Sequence, residues 1–143
     1  MNTKMIAGGI AALAMAVLPG AVAFATPANA DTGDNTVMIT NNHSNSLLQY
    51  DKSEKASDPD HIITGEIPIN GNTAGFVVKA GQNTKAASEY FTVVDANTKQ
   101  TLAIVDMSIK RAADGSLSVG PACGGLQCNW TTDSAGNWNI NVT

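Results

Sequence analysis

Two apolar runs, Tyr90 to Asp95 and Thr101 to Lys110, flank the short polar segment Ala96-Asn97-Thr98-Lys99-Gln100. Split at period two, the second run puts Ala103, Val105, Met107 and Ile109 on one face. Leu102 and Ile104 begin the other face, which turns polar at Asp106, Ser108 and Lys110. That pattern is a strand buried on one side throughout and on the second side only at its start. With a connection of hairpin length, it predicts a central β-hairpin on which the other strands assemble.

The remaining pattern supplies those strands. Thr36–Thr40 and Leu47–Tyr50 read as the first two, separated by the turn-forming Asn41–Ser46. His61–Thr64 starts a third, with Gly65 as a bulge. It continues through Glu66-Ile67-Pro68-Ile69, where Pro68 cannot donate to a ladder and marks an edge or corner. Asn70-Gly71-Asn72 is a turn, and Thr73–Ala80 a fourth strand with Phe76 and Val78 on one side. Gly81–Ser88 reads as a loop, and Ser116–Gly120 as a strand with Leu117 and Val119 inward. Pro121–Cys128 reads as a loop, and Asn129–Thr132 with Asn137–Thr143 as a last hairpin. No stretch after the first 30 residues repeats apolar positions at helical spacing for long enough to make a helix. The expected fold is therefore all-β, a single antiparallel β-sandwich of about eight short strands.

The chain's start changes this picture. Lys4, the apolar run Met5–Leu18, Pro19-Gly20 and Ala28-Asn29-Ala30 have the layout of a secretory signal with an A-x-A cleavage site. Residues 1–30 are predicted to be removed, leaving one domain at 31–143 in a secreted, extracellular protein. The short, alanine-rich leader is of bacterial type. Asp31–Asn35 reads as a loose tail. Without Lys4, seven basic residues face twelve acidic ones, a net charge of −5. An acidic surface with no Lys/Arg cluster argues against nucleic acid and against adsorption to anionic lipid. Cys123 and Cys128 bracket Gly124-Gly125-Leu126-Gln127, and in an exported chain a disulfide is expected. Two thiolates alone do not make a zinc site.

Candidate chemistry is sparse. His43 and His61 both fall in turn-forming sequence, and no serine sits in a G-x-S-x-G elbow. Asp51, Glu54, Asp58 and Asp60 form an acidic loop that could offer oxygen ligands to Ca²⁺, but its spacing is no EF-hand and Lys52 and Lys55 offset its charge. Asp95 and Asp106 flank the central hairpin without a visible cleft. Trp130 and Trp138, with Tyr50 and Tyr90, are the candidate aromatic binding face. A four-residue connection, Asp133–Gly136, pairs Asn137 with Thr132 and sends the tryptophans to opposite sides. One residue more pairs Trp138 with Thr132 and puts both on one face.

Three segments together resemble the aegerolysins and related actinoporin-like cytolysins. They are Val37-Met38-Ile39-Thr40-Asn41-Asn42, Ile67-Pro68-Ile69-Asn70-Gly71-Asn72-Thr73-Ala74-Gly75-Phe76, and the hairpin with Tyr90 and Leu102-Ala103-Ile104. A tryptophan-rich stretch of that family is replaced here by Val105-Asp106-Met107-Ser108. The resemblance implies a membrane-lipid-binding sandwich without cofactor or catalysis.

Three functional readings follow. The first is a secreted, non-enzymatic binding protein that contacts membrane lipid, a glycan or a protein surface. The second is a small secreted inhibitor or toxin-like protein presenting the Cys123–Cys128 loop. The third is an exported hydrolase, which requires His43 or His61 to meet a carboxylate and a nucleophile in one pocket.

Overall fold

The computed structural model describes residues 33–51, 56–81 and 85–143. The predicted leader and, in the acidic loop, Lys52, Glu54 and Lys55 lie outside the described residues. Nine strands follow one another: β1 (Asn35–Asn41), β2 (Ser46–Tyr50), β3 (Ile63–Asn70), β4 (Thr73–Val78), β5 (Lys85–Asp95), β6 (Thr101–Arg111), β7 (Leu117–Cys123), β8 (Cys128–Thr132) and β9 (Trp138–Val142). They form a five-stranded sheet, β3-β4-β1-β9-β8, packed on a four-stranded sheet, β2-β5-β6-β7.

The β5–β6 hairpin is the longest pairing, from Lys85 opposite Arg111 to Val94 opposite Thr101. Ala103, Val105, Met107 and Ile109 are all buried, as the alternation requires. Facing them from the other sheet are Val37, Ile39, Phe76, Val78, Trp138 and Ile140, each at most 1% exposed. Gly75 permits close approach within that sheet, because a Cβ there would collide with the Val37 carbonyl and the Met38 sulfur.

The structure departs from the sequence reading in four places. Asn35 is no loose tail: it is buried in β1, and Asp34 accepts a hydrogen bond from the Ala80 N–H at 2.7 Å. The Gly81–Ser88 loop ends early, since β5 begins at Lys85 and Ser88 exchanges backbone hydrogen bonds with Ser57. The Pro121–Cys128 loop is only a turn, because β7 runs through Pro121 to Cys123. Finally, β1 and β9 run parallel, whereas every other strand pairing is antiparallel.

Pro121 continues a strand for a reason visible in the ladder. Ala112 N–H donates to Ser116 C=O and Gly124 N–H to Ile104 C=O, which fixes the even-numbered residues of β7 as those bonded to β6. Pro121 then occupies a position whose N–H would point at the open edge, so its missing donor costs the ladder nothing. The Cys123–Cys128 disulfide, with Cα atoms 5.9 Å apart, joins the end of β7 to the start of β8. It therefore ties one sheet to the other at a corner.

Candidate functional site

The four candidate aromatics do not share a surface. Trp138 pairs with Thr132, and Trp130 with Ile140, so the longer of the two hairpin connections is realised. Its cause is local. Asp133 and Asn137 extend the pairing, and Gly136 takes φ 78° at the third position of the three-residue turn between them. The Asp133 carboxylate accepts hydrogen bonds from the Asn137 side-chain amide, foremost, and from the Asn137 and Ala135 N–H groups, which hold its carboxyl below the usual range. The face that the two tryptophans share is the inner one. Trp138 is 0% exposed and its indole N–H finds no partner among the described residues, while Trp130 is half-buried against the core. Trp138 is thus a core residue with no surface to offer a ligand.

Tyr50 is also turned inward. Its ring packs 5.1 Å from that of Phe91, and its hydroxyl donates to the Ile67 carbonyl of β3 at 2.9 Å. Burial, then Glu66 and Glu89, push its pKa up. Tyr90 alone of the four stands on the outer face of the four-stranded sheet, half-buried and opposite Asp106.

That outer face carries what the aromatic search missed. Leu47 on β2 and Ile104 on β6 are 37% and 38% exposed, the exposed large hydrophobics among the described residues. Leu47 lies opposite Val94 and Ile104 opposite Thr92, with Tyr90 two residues along β5. One uncharged strip thus crosses β2, β5 and β6. The alternation of β6 predicted burial for Leu102 and Ile104 at the start of its second face; Leu102 is half-buried but Ile104 is exposed, because among the described residues no second layer covers that face there. Leu47 was not legible, because a five-residue strand does not say which of Leu47 and Leu48 points in.

The acidic loop does not assemble into a cation site among the described residues, where no three His, Cys, Asp or Glu side chains gather to hold a metal. Asp58 is engaged otherwise: its two carboxylate oxygens accept from the Ile62 and Ile63 N–H groups at 2.7 and 2.9 Å. It thereby shapes the turn in which His61 adopts φ 53°. Asp60 and His61 line a hollow of about 280 Å³ with Lys79, Lys85 and Arg111, and among the described residues no serine, threonine or cysteine joins them. His43 sits in the β1–β2 turn, its N–H on the Asn41 side-chain oxygen. Asp95 accepts the Asn97 and Thr98 N–H groups of the β5–β6 turn, with its carboxyl lowered by them, Thr98 foremost.

One buried carboxyl stands apart. Glu89 is on the inner face of β5, opposite Met107, and is 6% exposed. Burial first, then the charges of Glu66 and Asp58, push its pKa up to about 7.

Compared with known proteins, the chain matches no family model, no curated protein and no solved structure.

Proposed function

We propose that this chain is a secreted, non-enzymatic binding module that recognises membrane lipid through the outer face of its four-stranded sheet. The observation that carries the reading is the exposed pair Leu47 and Ile104, standing on either side of β5 over the buried Val94 and Thr92 and beside the half-buried Tyr90, all on paired strands. Exposed apolar side chains grouped on a scaffold of this kind are the usual mark of a contact surface. The negative charge of the chain favours a zwitterionic over an anionic bilayer. The disulfide suits an oxidising, extracellular setting.

The Cys123–Cys128 turn offers less to a partner, because Leu126 leans on the core and leaves Gly124, Gly125 and Gln127 exposed. The hydrolase reading has less support, since among the described residues the hollow at His61 is lined by no serine, threonine or cysteine.

The test is co-sedimentation with phosphatidylcholine vesicles, with and without sphingomyelin and sterol. The intact protein is expected to pellet with at least one composition. The Leu47→Ser/Ile104→Ser double variant is expected to bind at least roughly tenfold more weakly, from the apolar area lost. Equal binding by the variant, or no binding to any composition, overturns the reading.

A further inference from the structure

A two-sheet sandwich has four open edges, and each is a template for another strand unless something blocks it. Three of the four are blocked here. At β2, Asn45 C=O accepts from Ala96 N–H and Asp51 N–H donates to Tyr90 C=O, so the odd residues bond to β5 and the even ones face outward. The Asn72 side-chain amide then covers that edge: its oxygen accepts the Leu48 N–H at 2.9 Å and its nitrogen donates to the Ser46 carbonyl at 3.1 Å. At β3, two register shifts break the ladder, and Pro68 and the exposed Glu66 interrupt it further. At β7, Pro121 stands at an outward-facing position.

The β8 edge has none of these devices. Cys128-Asn129-Trp130-Thr131-Thr132 holds no proline and no charge, and its pairing with β9 is free of register shifts. Gln127 and Thr143 exchange both backbone hydrogen bonds, and Asp133 N–H donates to Asn137 C=O. The odd residues of β8 therefore bond to β9, and the N–H and C=O groups of Cys128, Trp130 and Thr132 point outward. Among the described residues none of these reaches a backbone partner on that side.

We propose that this edge pairs antiparallel with the same edge of a second copy of this chain, about a two-fold axis at Trp130. Trp130 exchanges both backbone hydrogen bonds with its counterpart, and two five-stranded sheets become one of ten strands. The register suits a copy of the same sequence. It sets Cys128 against Thr132, Asn129 against Thr131 and Gln127 against Asp133, so no two carboxylates meet although the chain as a whole is acidic. The half-buried Trp130 rings meet across the axis and cover each other's exposed part.

Sedimentation equilibrium of the full mature chain over a range of concentrations tests this. The wild type is expected to dimerise. Thr132→Pro removes an N–H that serves no intramolecular bond, and Thr132→Lys puts a charge on the edge. Each is expected to weaken dimerisation by at least roughly tenfold while leaving the circular dichroism of the monomer unchanged. Hydrogen exchange at the Trp130 and Thr132 amides is expected to slow as wild-type concentration rises. A wild type that stays monomeric throughout overturns the proposal. So does a dimer that Thr132→Lys leaves as tight as before, or one whose formation leaves exchange at Trp130 and Thr132 unaltered.

Discussion

The Arg111 guanidinium donates to the Asn35 side-chain oxygen at 2.8 Å, across the interior from β6 to β1. Both residues are 1% exposed. Arg111 also donates to the Gly115 carbonyl at 2.6 Å and the Val78 carbonyl at 3.4 Å, so one cation gathers the β6–β7 turn, β4 and β1. Asn35 in turn donates to the Ala135 carbonyl at 2.9 Å. A buried charge is tolerated only while its donors are met, so Asn35→Ala is expected to cost about 2 kcal/mol. Urea unfolding of the two proteins measures it as a drop in midpoint at unchanged slope.

Asn72 is expected to matter for β2 more than its half-exposed position in a turn implies. Replacing it with alanine removes both hydrogen bonds to the open edge of β2. The expected loss is about 1 kcal/mol of stability, with faster amide exchange at Leu48 and little change at Val93 opposite it. Unchanged exchange at Leu48 would mean that Asn72 does not protect that edge.

Much of this fold was legible because burial on one face imposes a two-residue period. Phe76 and Val78, Leu117 and Val119, and the inward series of β6 all fell where alternation put them. What could not be read were features set by distant partners. The sequence of Lys85–Ser88 looks like a loop, and it becomes strand because Arg111–Ser108 and Ser57 pair with it. The tryptophan register depended on whether Gly136 would take a left-handed conformation, which shifts the pairing by one residue. Aromatic content alone did not say which rings point inward: Trp138, Trp130 and Tyr50 pack on the core, and the exposed large hydrophobics among the described residues, Leu47 and Ile104, are aliphatic.

Glu89 gives stability an unusual dependence on pH. Its folded pKa of about 7 lies above the ordinary glutamate value of 4.5, so between these values the folded chain holds a proton there that the unfolded chain releases. Stability is then expected to fall as pH rises from about 4.5 to about 7 and to level off above. The loss is on the order of 1–2 kcal/mol once partial solvent screening is allowed for. Glu89→Gln is expected to flatten this slope and to raise stability at pH 8, read from thermal unfolding across pH. The carboxyls of Asp95, Asp114 and Asp133, which hydrogen bonds lower, act at more acid pH and in the opposite sense.

Reducing the disulfide, or replacing Cys123 and Cys128 by alanine, is expected to cost about 2 kcal/mol, because the loop it closes is short. The corner between β7 and β8 is expected to open first, giving faster exchange at Leu126 and Gln127. Equal stability of the two forms in chemical denaturation would remove the bridge from the account of how the sheets are tied.

The most direct test of the proposed binding surface is a backbone-amide NMR titration of residues 31–143 with phosphocholine micelles. The account predicts shift changes clustered at Leu47, Tyr90, Thr92, Val94 and Ile104, with the outer positions of β1 and β9 unmoved. Changes centred instead on Lys79, Lys85 and His61, or an unaltered spectrum at saturating micelle, would contradict it.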